Sequence, residues 1–417
     1  MKCIWIIKQY GSIPDIPGGS RQYDFARGLA DKGYRVAYFL PSFSHILRSE
    51  LIHFDHPLYC IEKRDGFWLV WIKAFSYYSN NWRRALNAFD FAWRIRRISR
   101  ILCNGDLEFS HPDKILCFNL PLLAPIVSSF VAKKIGAQFY LEIGDLWPQT
   151  LIDMGILGEK NPITWCMRRA EHFLYRKAAG IVTPLPNASD YVQHCVSGSK
   201  TTFIGSGVDL SDFCPTESCG SSSCENEDFT ILYTGAHGPA NDLLPVIKAF
   251  KRVHEFGHSQ VKFVLVGDGV QKLFLIEYVR KNRIKNVFFK NPVPKREIPA
   301  ILMRSDACLF RLKSIGVFKY GINPNKLNDY LCAGKPILFF ADGSNNVVEG
   351  IGCGLTVPID DPDQMAHAII QLSTMDASDR REMGTKARDY ATQNLSIERL
   401  IERIEIALDL NKRIHHE

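Results

Sequence analysis

The sequence predicts an α/β protein made of two doubly wound, parallel-sheet domains in tandem. Three observations lead there. Short apolar runs alternate with stretches of helical periodicity along most of the chain. A polar break over 214–228, rich in Ser, Cys, Glu and Asn, separates one such series from a second. The connections between apolar runs are long enough to hold helices, which favours parallel strands with both sheet faces covered.

The first series opens with the apolar run CIWII at 3–7, followed by a Pro/Gly/Ser loop over 11–20. Residues 21–32 place Phe25, Leu29 and Ala30 at helical spacing, and Gly33 supplies a stop before the next strand at 35–40. Further strands are expected at 115–118, 139–142, 179–183 and 202–204. The second series predicts strands at 229–234, 261–267, 287–289, 307–312, 336–340 and 355–357. Helices at 242–256, 270–283, 324–332 and 362–375 fill the gaps. Over 396–410, Ile397, Leu400, Ile401, Ile404 and Leu408 form one stripe behind Ser396, a capping residue. That stripe needs a partner surface, so the helix is expected to pack back across the interdomain seam. The expected domains are 1–213, a linker at 214–228, 229–395, and a terminal helix at 396–417 returning to the first domain.

The 417 residues are 46% hydrophobic and 23% charged, which excludes a mainly disordered chain, a fibre or a multi-span transporter. Subtracting 44 acidic from 51 basic residues leaves +7, a mild excess suited to phosphate-bearing ligands or an anionic membrane face. No finger-like Cys/His spacing or long basic tract points to nucleic acid. The cysteines sit mostly in apolar contexts, as at Cys3, Cys117 and Cys308, and suit a reducing compartment. Cys214, Cys219 and Cys224 lack the close doublets of a metal site. No export signal is evident, so a cytoplasmic chain is expected. The uncharged window 115–132 is interrupted by Asn119, Pro121 and Pro125, and reads as a strand followed by a helix rather than a membrane span.

Candidate chemistry gathers where strands end. Gly18 and Gly19 in GSIPDIPGGS let backbone approach a ligand just before a helix N-terminus. In LEIGDLWPQ, Glu142 and Asp145 stand at a strand end beside Trp147, suited to orienting or deprotonating a sugar hydroxyl over an apolar platform. A plain helix cap at Asp145 would read the same. The turns TGAHG, with Gly235, His237 and Gly238, and GDG, with Gly267, Asp268 and Gly269, each follow an apolar strand and suit phosphate or ribose. A helix starting near Pro324 aims free amides outward, with Asn325 and Lys326 in its first turn for a diphosphate and Asp329 for ribose hydroxyls. Arg311 is a second phosphate candidate. Asp361 and Asp363 read as a helix cap before a metal pair, and no metal site is assigned. Residues 67–98 mix ten aromatic side chains with six basic ones, a pattern suited to an anionic bilayer surface or to a helix packed on the first domain.

Taken in order, PGGSRQYDFARGLADKGYRV, YLEIGDLWPQTLIDMGIL, RRAEHFLYRKAAGIVTPLPN, ILYTGAHG, FVLVGDG and NPNKLNDYLCAGKPIL resemble the retaining glycosyltransferases of family four, which have the two-domain B fold (GT-B). The chain is most similar to the bacterial O-antigen and capsule branch, including N-acetylfucosamine-type amino-sugar transferases. The resemblance implies two Rossmann-like domains facing across a cleft. It also implies a UDP-sugar donor on the second domain, a lipid-linked (undecaprenyl-diphosphate) glycan acceptor on the first, and no required metal or cofactor. The enzyme would then work peripherally on the cytoplasmic face of the inner membrane. Asp145 would orient the acceptor with Glu142 nearby, while Lys326 and Arg311 would stabilise the leaving diphosphate. Three positions depart from the family pattern: Gly321 where a donor-side glutamate is usual, Ala236 and His237 where Arg and Lys are common, and Ser206 in GSGVD for an asparagine. A UDP-N-acetyl-sugar 2-epimerase of the same architecture and a non-catalytic glycan-assembly scaffold are the alternatives.

Overall fold

The computed structural model describes residues 2–16, 20–78, 82–213, 228–342, 346–357 and 361–410. They form two compact units, Met1–Gly207 with Ile397–Glu417, and Val208–Ser396.

The first unit holds an eight-stranded sheet. Its order is Thr201–Phe203, Gly180–Thr183, Gln138–Glu142, Lys114–Phe118, Cys3–Ile7, Arg35–Pro41, Phe67–Ile72 and Tyr59–Arg64. All neighbours run parallel except the last pair, a hairpin turning at Asp65 and Gly66. Cys3–Ile7 lies centrally and is buried along its whole length, which is why it reads as a continuous apolar run rather than an alternating one. The 115–132 window resolves into the strand Lys114–Phe118 and the helix Leu123–Ile135. Among the described residues no helix is long and apolar enough to cross a membrane.

Residues 67–98 do not form one surface. Phe67–Ile72 is an internal strand in which Phe67, Leu69, Val70 and Ile72 are fully buried. The outward aromatic side chains are Phe75 and Tyr78 in the segment after that strand, and Trp82, Phe89 and Trp93 on the following helix, Trp82–Cys103. The continuous apolar run at 67–72 is a core strand whose basic neighbours belong to other elements.

The helix Ile397–Ala407 belongs to the first unit and completes its core. Leu400, Ile401 and Ile404 bury against Phe25, Leu29 and Val182, each worth about 1.5–3 kcal/mol of apolar burial. Its closest approach is to Arg21–Asp31, where a Cβ on Gly28 would stand 2.4 Å from Ile401 Cγ1. Lys32 and Tyr34 both bond Glu405.

In the second unit the order is Val287–Lys290, Val261–Val266, Phe229–Thr234, Ala307–Arg311, Ile337–Phe340 and Gly354–Thr356, all parallel. Helices Leu244–Glu255 and Pro362–Thr374 cover one face, and Asn325–Ala333 with Ala377–Asn394 the other. The boundary expected at 213 moves to 207. Val208 and Phe213 bury in the second unit's core, and Val208 pairs with Ser396. Ser396 therefore stands in a parallel bridge where the chain passes back to the first unit. The expected linker over 214–228 lies outside the described residues except Asp228, which pairs with Lys262. Asp361 caps Pro362–Thr374 by accepting from the Asp363 and Gln364 amides, a structural use of the carboxylate.

Candidate functional site

Parallel strands bring their carboxyl ends to one edge, and the candidate residues of each unit stand along it. In the second unit, the turns after Phe229–Thr234 and Val261–Val266 are locked backbone to backbone. Gly235 N donates to Val266 O at 3.0 Å, and His237 N donates to Asp268 O at 2.8 Å. A Cβ on Gly267 would lie 2.0 Å from Gly235 O, so no side chain fits between the turns. Gly267 also has φ +150, and Gly235 φ +136, in the region that favours glycine. Asp268 accepts from the Gly269 amide and is exposed. Gly238 faces open space.

Lys326 reaches these turns from the helix Asn325–Ala333. Its Nζ lies 3.0 Å from Tyr233 Oη and also bonds Asn241 Oδ1. Tyr233 Oη and Asn241 Nδ2 both donate to Ala236 O. The ammonium sits 4.6 Å from the Tyr233 ring centroid and 5.4 Å from that of Phe310, a cation–π setting. Burial lowers it to about 7. Further along the helix, Tyr330 Oη accepts from the Thr234 amide at 2.8 Å. The helix and the glycine turns are thus one hydrogen-bonded assembly. Asn325 is exposed at its start. Burial raises the Asp329 carboxyl to about 6, with Lys295 lowering it and Asp212 raising it.

Two candidates take other roles. Arg311 is fully buried, and its Nη2 pairs with Asp242 Oδ2 at 2.9 Å while Nε bonds the Asp242 carbonyl. Asp242 has φ +41, so Arg311 braces the loop behind the glycine turn instead of facing a phosphate. His237 is also enclosed, between Tyr233 and Phe289. Neither of its ring nitrogens has a hydrogen-bond partner among the described residues, and burial holds the ring at about 4, hence neutral. Positive charge at this edge comes from Lys326 and from Lys272, whose Nζ donates to Gly267 O.

In the first unit, Gly18 and Gly19 lie outside the described residues. Glu142 is buried at the end of its strand, with Oε1 accepting from Arg21 Nε at 2.8 Å and Oε2 from Gln22 Nε2 at 2.7 Å. Both oxygens are committed, so Glu142 positions the first turn of the helix Arg21–Asp31 and is no open acceptor contact. Arg21 Nη1 continues to Ser206 Oγ. Asp145 is exposed beyond the strand, on a loop pinned by Asn119, which bonds the Asp145 carbonyl and the Gly144 amide. Although Asp145 reaches solvent, the protein packed around this loop desolvates its carboxyl and raises it, with Lys8 pulling it down. Lys8 bonds Gln22 and lies over the Phe118 ring; burial lowers it to about 8, against the pull of Glu142. Sequence reasoning assigned no role to Lys8, Arg21 or Gln22. The available signal was position, since Lys8 directly follows the central strand and the other two open the next helix.

Residues 228–375 match the family model described as "Glycosyl transferases group 1". A "Probable glycosyltransferase WbjE" from Pseudomonas aeruginosa is 21% identical over 310 residues, covering 68% of this chain and 71% of that protein. The chain is a glycosyltransferase with the two-domain B fold. Among solved structures, sucrose-phosphate synthase from Thermosynechococcus elongatus superposes with TM-score 0.72 at 16% identity, covering 97% of this chain and 98% of that one. Anabaena HepE in complex with UDP and glucose gives TM-score 0.70 at 14% identity, covering 98% and 100%. An E. coli trehalose-6-phosphate structure bound with UDP-2-fluoro glucose gives 0.69 at 12%, covering 99% of each. At such identities these structures establish the fold of this glycosyltransferase and leave its ligands to its own residues.

Proposed function

We propose that the protein transfers a sugar, of the N-acetylated amino class, from a UDP-sugar to an undecaprenyl-diphosphate-linked glycan in bacterial surface-polysaccharide synthesis, with retention at the anomeric carbon. One observation carries the donor half. Two glycine turns in close backbone contact, a helix N-terminus and Lys326 form a single hydrogen-bonded assembly at one sheet edge. A diphosphate needs those elements together: amides, room for backbone approach, and a cation. The UDP bound in Anabaena HepE supports the choice of nucleotide. Gly238 and Gly269 would approach the phosphates, and Asp329 the ribose.

In this reading the leaving diphosphate accepts the acceptor's proton as the new bond forms on the same face. Lys326 and the helix amides hold the charge that develops there. Asp145 orients the acceptor hydroxyl, and Lys8 partly offsets the rise that desolvation imposes on its carboxyl. Arg311 and Glu142 act as positioning residues. The outward aromatic side chains of Trp82–Cys103 would contact the cytoplasmic face of the membrane, where a lipid-linked acceptor resides.

Purified protein incubated with membrane lipids and a panel of nucleotide sugars tests the proposal by mass analysis of products. Sugar added to a lipid-linked acceptor supports it. Interconversion of nucleotide sugars without acceptor would establish epimerisation instead. No product from a complete panel rejects catalysis.

A further inference from the structure

The helix Trp82–Cys103 carries a stripe whose character changes along its length. Trp82, Leu86, Phe89, Trp93, Arg96, Arg100 and Cys103 follow one another at alternating steps of four and three, so they share one face. Trp82, Leu86, Phe89 and Trp93 are all exposed. Arg96, Arg100 and Cys103 instead line a cavity of about 440 Å³ against the helix Leu123–Ile135, floored by Val127, Val131 and Ile135. That volume lies within the roughly 300–1,000 Å³ typical of small-molecule pockets.

Charge gives the cavity its direction. Lys134 joins Arg96 and Arg100 among its lining residues, and none of the lining residues is acidic. None of these three cations has an ion-pair or hydrogen-bond partner among the described residues. The neighbouring cations are engaged: Arg94 with Asp90, Arg84 with Tyr10, and Arg97 over Trp93. An apolar floor under three unpaired cations matches a phosphate attached to hydrocarbon.

We propose that this cavity binds the phosphate and upper acyl segment of an anionic bilayer phospholipid, seating the helix at a defined depth. The proposal rests on the membrane-contact reading and adds a discrete lipid site to it. Topology separates the site from the reaction. Both helices lead into the amino ends of strands, Trp82–Cys103 toward Lys114–Phe118 and Leu123–Ile135 toward Gln138–Glu142. Their C-terminal turns, which form the cavity, therefore stand at the sheet edge opposite Glu142 and Asp145. A lipid-linked acceptor held there could not present its sugar to Asp145. A second copy of this face would set arginine against arginine.

The test uses the full chain and monomeric dihexanoyl-phosphatidylglycerol below its micelle concentration, with dihexanoyl-phosphatidylcholine as control and binding read by tryptophan fluorescence and NMR. Saturable binding of the glycerol lipid alone is expected. It should be lost in Val127→Trp, which fills the cavity, and in R96Q/R100Q/K134Q, while W82A/F89A/W93A retains it. On phosphatidylglycerol-containing vesicles the triple charge variant should partition about 100-fold more weakly, at about fivefold per cation. Thermal melting confirms that each variant folds. Monomer binding that is absent, or equal in the filled and open proteins, overturns the pocket even where vesicles still bind. Loss of vesicle binding only in the aromatic variant leaves a bare surface contact and likewise overturns it. Saturation by inorganic phosphate or polyprenyl diphosphate in preference to the phospholipid, or self-association through this face, assigns another occupant and rejects the proposal.

Discussion

Lys326 is the residue on which donor affinity should turn. Burial holds its ammonium at about 7, so in the unliganded protein the charge is present below that pH and fades above it. Affinity for UDP should fall as pH rises through about 7. Lys326→Ala should flatten that dependence and weaken binding by about 10- to 100-fold, the worth of a hydrogen bond to a charged group; calorimetry with UDP at two pH values reads both. Asp329 carries the opposite sign. Its folded value of about 6 stands above the ordinary 3.8, so between those values the folded state holds the extra proton and stability falls as pH rises. Asp329→Asn should therefore melt higher than the parent at pH 7, with the difference closing near pH 4. Gly321 has φ +102, where an L side chain is strained. Gly321→Glu, which restores the family's residue type, should cost about 1–3 kcal/mol of stability and bring no gain in donor affinity.

At the scale of elements, the glycine turns behave as one part. Gly267→Ala would drive its Cβ into Gly235 O and part the turns, so donor affinity should drop about tenfold or more while Lys326 remains in place. Most of this edge was legible in the sequence, because glycines directly after apolar strands announce themselves locally. What escaped depends on contacts between distant segments. Arg311 read as a phosphate ligand until Asp242, sixty-nine residues earlier, took its guanidinium. Glu142 read as open until Arg21 and Gln22 filled it. Phe67–Ile72 read with its neighbours as a surface segment because both faces of that strand are covered, leaving no alternation to mark it. Its hairpin partner Tyr59–Arg64, only partly buried, carries too weak a pattern to stand out.

Across the whole molecule, the first unit is discontinuous in sequence. The chain leaves it after Gly207 and returns at Ile397. Removal of residues 397–417 should expose the apolar surface that Leu400, Ile401 and Ile404 cover, and at about 2 kcal/mol for each lost side chain the first unit should melt well before the second. Differential scanning calorimetry should then show two separated transitions where the intact chain shows closer ones. A narrower change, Gly28→Val, should act in the same direction by forcing the terminal helix off its seat.

That arrangement also sets an order of events on the ribosome. The segment that seals the first unit is made after the insert, so the insert from Val208 to Ser396 is fully synthesised while its host still has an open flank. A released chain cut off after residue 396 should show a protease-resistant insert and a digestible host, and restoring the helix Ile397–Ala407 should protect the host.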